Sequence, residues 1–490
     1  MKKNRSTWTK IKEVHCIIRN QVLYLLIVSL FLVISCKKND PVTSKITTIP
    51  ITTDSTMITK YATWINVWDR SSESWWNPNE HNGATVYIGG KWQSIDWKDN
   101  NQTAEFIKNI KDAGINIVIC DLTNGWSWLD YEVQYIQSLC AKNGMKLCIA
   151  ENSGGDVAKF ESHAQDIWNN FAGTASPNAA DSTYLLKDGK PVIVCYAIRS
   201  WYNSYKNSNG IYRQKFDLVW ASGEDSEKDK WGWQLEPWIA SVPSSEAMFV
   251  TPAIKWSSQP DLWRSSLSWL DYNFLLAKKN SPKYIIVGSY DDLDERNGWL
   301  VANTANCIPG LQMRDKNGSI STDAYYNRVK EWISGKPSSI SGGTIADGCY
   351  RMINQNSDKY LTLKNVNGKV GEILIQNVVA DISLNNYFWF YHLGSNSYRI
   401  ISLNNGLSLT IVNGSEEEGA QVVDSLTENS PQQNWTLEDA GGGYYCIKNN
   451  NSGKVMEVEG ASKNSGASVV QGANSNRNDQ HWKLDKILSL

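Results

Sequence analysis

Four carboxylates fall within five positions of IIVGSYDDLDERNGW, residues 285–299: Asp291, Asp292, Asp294 and Glu295. Paired carboxyl groups can hydrolyse a glycosidic bond, one protonating the leaving oxygen while the other activates water or attacks as a nucleophile. Glu295 is the expected proton donor and Asp292 the base or nucleophile. The apolar run Ile285-Ile286-Val287 just before them has the composition of a core strand, so the charge would sit at a strand's end. Asp and Asn are also natural turn formers, and a solvated surface loop is the competing reading. Glu151, closing the apolar run KLCIAE, is the expected partner of the pair. Asp121, Trp126, Trp128, Tyr196, Trp201, Glu224, Trp256 and Tyr290 each follow or end an apolar run and are candidates for substrate contact.

Those groups need a scaffold, and between about 60 and 335 the chain alternates apolar runs with amphipathic ones. INIVICDL, MKLCIAE, PVIVCYA, FDLVWAS, MFVTPA and YIIVGSY have strand character. YEVQYIQSLCAKNG, GDVAKFESHAQDIWNNFAG and DLWRSSLSWLDYNFLLAKKN repeat at helical spacing. Near-continuous apolar strands alternating with helices imply a parallel sheet covered on both faces. About 275 residues of this pattern fit an α/β fold of the (β/α)8 TIM-barrel type, with its chemistry at the C-terminal ends of the strands. No GxGxxG or Walker motif follows a strand, which counts against nucleotide binding.

Residues 336–346 are a linker, and 347–488 repeat threefold. YLTLKNVNGKVGEILIQ, SLTIVNGSEEEGAQVVD and VMEVEGASKNSGASVVQ align, as do Tyr350, Tyr398 and Tyr445, and Gly371, Gly419 and Gly466. Each unit is expected to close on a tryptophan, at Trp389, Trp435 and Trp482, the last two within Gln-x-Trp. Units of short strands that cannot bury their own faces should pack around a pseudo-threefold axis.

The 23 tryptophans, 19 of them between 61 and 335, hint at sugar-binding faces, although each alone is as well explained by a core. His81, His163, His392 and His481 stand isolated in the sequence beyond the leader, and no CxxC occurs. A histidine triad, a metal site and a cofactor are therefore not expected. Cys120, Cys148 and Cys195 read as buried small hydrophobes. Six basic residues precede the apolar stretch VLYLLIVSLFLVIS, which is short for a membrane span and has the layout of a signal peptide over 1–35. Without it the net charge is about −7, and no nucleic-acid partner is expected.

Three resemblances add to this reading. Val33-Ile34-Ser35-Cys36 resembles a bacterial lipobox, which implies lipidation of Cys36, a tether over 36–59, and anchoring to the outer membrane facing the periplasm or the surface. The C-terminal repeats resemble a ricin-type β-trefoil lectin. In that family an acid sits in the middle of each apolar triplet; only the third unit keeps one, so Glu457, Gln471, Asp479 and Gln480 are the implied sugar-binding set. IIVGSYDDLDERNGW resembles the late-strand motif of glycoside hydrolase families 71 and 99. Their Tyr-Asn-Glu-Trp-x-Glu-Gly is matched by Tyr290, Asp291, Asp292 and Glu295, while Leu293 and Arg296 depart from it. Glu151 is similar to that family's substrate-contacting glutamate. The resemblance implies a hydrolase of α-mannan or α-glucan, acting on a polysaccharide or glycan; a monomer is expected. A degenerate barrel in a non-catalytic glycan-binding lipoprotein is the alternative.

Overall fold

β1 (Lys60–Ile65) lies in the middle of a parallel sheet, because the chain leaves it first towards one edge and later returns to its other side. The computed structural model describes residues 59–67, 84–88, 90–93, 95–123, 129–173, 183–223, 230–232, 246–252, 266–292, 298–307, 309, 312–337, 339, 342–365, 369–378 and 384–490, with the side chains of 129 and 130 excepted. A hairpin of β2 (Val86–Ile88) and β3 (Lys91–Gln93) follows β1. Then come β4 (Ile117–Asp121), β5 (Lys146–Glu151), β6 (Leu186–Lys187), β7 (Lys190–Tyr196), β8 (Asp217–Ala221), β9 (Ala247–Val250) and β10 (Tyr284–Val287). The order across the sheet is β8-β7-β5-β4-β1-β10-β9, all parallel, with β6 turned back on β7. From β1 the parallel strands β4, β5, β7 and β8 follow one another outwards in chain order, and on the other side β10 lies between β1 and β9. The expected closed eightfold barrel is not what the described residues give: they form a curled sheet of seven parallel strands, with no β8–β9 ladder among them.

Among the described residues six α-helices accompany the strands: α1 (Asn100–Asp112), α2 (Leu129–Lys142), α3 (Val157–Ile167), α4 (Arg199–Lys206), α5 (Leu267–Asn280) and α6 (Ala324–Ser334). Asp99 and Asp156 cap α1 and α3 by accepting from the first free backbone N–H groups, so two of the helix starts are fixed by side chains rather than by packing.

Strand register separates the two faces of the sheet. Ala62, Trp64, Ile117, Ile119, Tyr284 and Ile286 share one face by pairing and alternation. That face is lined by aromatics: Trp64 donates its indole N–H to the Trp231 carbonyl at 2.7 Å, and Trp231 packs on Tyr284. A methyl group at Gly232 would come within 2.7 Å of the Trp64 ring, so this close passage requires glycine. The opposite face meets the helices.

Among the described residues twelve further strands form the C-terminal region: β11 (Gly348–Asn354), β12 (Tyr360–Leu363), β13 (Leu374–Asn377), β14 (Phe388–Gly394), β15 (Ser397–Ser402), β16 (Ser408–Ile411), β17 (Val422–Ser425), β18 (Asn434–Gly441), β19 (Tyr444–Asn449), β20 (Val455–Val458), β21 (Val469–Gly472) and β22 (His481–Ser489). The last strand pairs with the first from Gly348↔Ser489 to Asn354↔Trp482, closing three four-stranded units on one another. Their core repeats as Leu361/Leu409/Met456, Leu363/Ile411/Val458 and Leu374/Val422/Val469.

The first unit does not close on its tryptophan as expected. Tyr350, Tyr398 and Tyr445 pair with Phe388, Trp435 and Trp482, so Phe388 and not Trp389 fills the first unit's core position. One residue along a strand reverses the face. Trp389 accordingly points out of the three-unit core and joins Tyr391, Cys349 and Leu403 in the hydrophobic cluster shared with the parallel sheet. A buried polar knot fastens the same seam: Asp271 on α5 takes two guanidinium bonds from Arg328 at 2.7 Å and the Trp332 indole N–H at 2.6 Å, and Tyr391 donates its hydroxyl.

Candidate functional site

At the C-terminal rim the lined face ends in polar side chains. Ile65 pairs with Cys120, so one residue further on Asn66 and Asp121 stand side by side on the face of Trp64. Both are buried. Burial pushes the Asp121 carboxyl up to about 7, its bonds from Thr123 oppose that shift, and the nearby charges of Asp292 and Asp291 reinforce it. The rim therefore brings together Asp121 and Asp292, two buried carboxyl groups from opposite sides of β1. A carboxyl held protonated near neutral pH beside a second acid has the make-up of a proton donor. Tyr196, half-buried at the end of β7, follows Val194 on this same face by alternation.

Asp291 has a different job. Its Oδ1 accepts from the Asn66 backbone N–H at 2.9 Å and its Oδ2 from the Trp97 indole at 2.7 Å, so it ties the end of β10 to the end of β1 and to the start of α1.

Glu151 does not converge with these acids. Asp121 pairs with Ala150, which sets Glu151 on the opposite face, towards the helices. There its Oε2 accepts from Ser153 and lies 3.1 Å from Nδ1 of His163 on α3. His163, isolated in the sequence, is thus part of a buried cluster with Ser153 and Glu151. Tyr290 is likewise turned into the protein: its ring packs edge-on against Phe106 and Trp299, and burial raises its phenol well above the ordinary value. Trp201 on α4 lies over the Gly155 backbone, where a methyl group would meet its indole at 2.8 Å. Glu295, Trp126, Trp128, Glu224, Trp256 and Cys36 lie outside the described residues. Sequence reasoning missed Asn66, although the alternation from Trp64 places it on the lined face.

The sheet's cysteines are buried and free, and with Cys140, Cys307, Cys349 and Cys446 no disulfide forms among the described residues. Nor do those residues gather three potential metal ligands.

In the third repeat, Glu457 Oε2 accepts from Gln480 at 2.6 Å and from Arg477 at 3.0 Å, and Arg477 also binds Asp479. Glu457 lies across Gly472, where a Cβ would stand 2.4 Å from its carboxylate. Gln480 also donates to the Ala473 carbonyl and accepts from the Ser475 backbone, which uses its amide fully. Gln471 is a correction. Its amide N–H groups reach the Ser415 and Glu417 carbonyls of the preceding repeat, both at 2.8 Å, and its oxygen accepts from Ser452. Gln376 does the same towards Ser462, Asn464 and Ser357, whereas Asp424 at the matching position accepts from the Gly371 and Glu372 backbone N–H groups and from the Asn405 amide. Gln376, Asp424 and Gln471 are therefore a threefold latch between repeats.

The family model for the ricin-type beta-trefoil lectin domain-like family matches residues 332–424 and 431–488. This region is a ricin-type β-trefoil. It makes the chain the bearer of a carbohydrate-binding, lectin-like module at its C-terminus. Among solved structures it is similar to the designed threefold-symmetric protein ThreeFoil, at 31% identity over 29% of this chain and 100% of that one, with a TM-score of 0.28. It is also similar to an exo-beta-1,3-galactanase from Clostridium thermocellum, at 24% identity over 34% of this chain and 33% of that one, with a TM-score of 0.27. The Rhizoctonia solani agglutinin matches at 15% identity over 30% of this chain and 100% of its own, again at 0.27. The chain spans about a third of the galactanase's length. No curated protein matches it.

Proposed function

We propose that the protein is a glycoside hydrolase whose trefoil holds the glycan that its α/β domain cleaves. The observation that carries this reading is the rim pair: Asp121, raised to about 7 by burial, beside Asp292 on a sheet whose C-terminal strand ends carry its polar groups. Asp121 is the proton donor to the leaving oxygen. Asp292 is the base or nucleophile, with Glu295, three residues on in the same acidic stretch of sequence, assisting. The cyclic strand order supports a (β/α)8 barrel, in which this rim is the active face. Binding by the trefoil raises the local concentration of substrate at the rim. The motif similarity favours α-mannan or α-glucan. Lipidation at Cys36 would hold the enzyme at the bacterial outer membrane, as a monomer.

One observation favours a second reading, a glycan-capturing lipoprotein without catalysis: Glu151, whose counterpart contacts substrate in the resembling hydrolases, faces the helices. Incubating the chain from residue 37 with α-mannans, α-glucans and host-type glycans separates the two. Oligosaccharides released by the wild type, and lost in Asp121→Asn and Asp292→Asn, support the hydrolase. Glycan retention with no release supports the capturing protein.

A further inference from the structure

At the end of β1 the chain buries an amide with nothing to hold. Asn66 is fully buried, and among the described residues neither its Oδ1 nor its Nδ2 has a hydrogen-bond partner. Its backbone N–H is fixed by Asp291, so the residue is held in place by its main chain and not by its side chain. Orphaned polar groups are rare in native interiors and costly to keep. Leucine, of nearly the same shape, would fill the position without that cost. The register sets Asn66 beside Asp121 on the face of the sheet that ends at the rim.

The chemistry of the missing partner follows from the amide. It offers two donors and one acceptor oxygen at fixed separation. A lone cation or anion would use one end of it, and an apolar group neither. Two neighbouring hydroxyls on a sugar ring each donate and accept, and match both ends. We infer that Asn66 is a substrate-binding residue that reads a vicinal diol on the sugar unit lying against Asp121. This rests on the rim being the hydrolytic site proposed above. Asn66 transfers no proton and forms no bond; it sets which ring hydroxyls must be free, so a glycan O-methylated at that diol would be refused.

The test compares the full chain as wild type, Asn66→Leu and Asp121→Asn, by thermal melting without sugar and by oligosaccharide release from α-mannan and α-glucan. The Asn66→Leu protein is expected to melt at or above the wild type. Its kcat/KM should fall about 10- to 100-fold, with a raised KM and a weakened refusal of O-methylated glycan. A clearly lower melting temperature with intact turnover would overturn the inference, because the amide would then be a packing element. Inactive Asp121→Asn beside fully active Asn66→Leu removes this inference alone; intact activity in both removes the rim reading as well. If the wild type releases nothing, the melting shift with methyl α-D-mannopyranoside or methyl α-D-glucopyranoside decides. A shift lost in Asn66→Leu supports the inference, and a retained or absent shift overturns it.

Discussion

Trp97 donates its indole N–H to Oδ2 of Asp291 at 2.7 Å, and that contact fixes how the acidic stretch is used. With Oδ1 already taken by the Asn66 backbone, the first acid of the stretch is a structural buckle between β10, β1 and α1. The next acid, Asp292, raises the Asp121 carboxyl more than Asp291 does. Asp291→Ala strands two buried donors and is expected to cost about 3 kcal/mol, read as a lower urea midpoint at an unchanged slope. Asp291→Asn, which keeps one acceptor, should lose less.

Asp121 makes stability depend on pH in a direction that can be worked out. Its folded pKa, about 7, lies above the ordinary carboxylate value, so the folded state holds the proton more tightly. Stability from this group is fully present below about pH 4 and is lost as the pH rises through 7. Asp121→Asn removes the penalty of a buried charge. The variant is expected to melt above the wild type at pH 8, by a few kcal/mol at most, and the difference should close near pH 4. A constant difference across that range would mean that Asp121 titrates normally.

Glu151→Gln separates structure from catalysis. The glutamate holds Ser153 and His163 on the helix side of the sheet. Its loss is expected to cost about 1–3 kcal/mol in chemical denaturation, while glycan release keeps its pH profile. A shift in that profile would put Glu151 back at the rim.

Within the trefoil, Gln471 and Glu457 should part company. Gln471→Ala breaks a link between repeats and is expected to lower stability by about 2 kcal/mol, leaving glycan retention unchanged. Glu457→Ala removes a half-exposed ion pair and one acceptor of the buried Gln480 amide, costs about 1–2 kcal/mol, and is expected to abolish retention on a glycan column by the third repeat. The reverse pattern would exchange their roles.

Asp271 joins both parts of the chain through Arg328, Trp332 and Tyr391. Asp271→Ala leaves the buried Arg328 guanidinium with only the partly exposed Glu331 carboxylate, and a loss of about 3 kcal/mol is expected. Because the knot lies in a shared core, a single unfolding transition should split into two.

The sequence carried some of this plainly and hid the rest for physical reasons. The strand end at Asp121, the acids that follow β10, and the threefold spacing of tyrosines and glycines follow directly from apolar runs and turn residues. The facing of Glu151 was hidden because KLCIAE is buried on both sides and shows no alternation. Trp389 was hidden by a one-residue ambiguity in FWF, where either aromatic could close the unit; only strand pairing chooses Phe388. Gln471 looked like a sugar ligand because a polar residue in a strand is equally suited to a hydroxyl or to a neighbouring carbonyl. His163 and Glu151, twelve positions apart in sequence, meet only because α3 packs back over β5.

The central claim is that Asp121 delivers a proton to a glycosidic oxygen. Its most direct test is the rate of oligosaccharide release from the panel's best glycan, by wild type and by Asp121→Asn, measured from pH 5 to pH 9. Wild-type activity is expected to fall through a limb near pH 7, and the variant to be slower by about 100- to 10,000-fold. Equal rates in the two proteins, with the limb preserved in the variant, would contradict it.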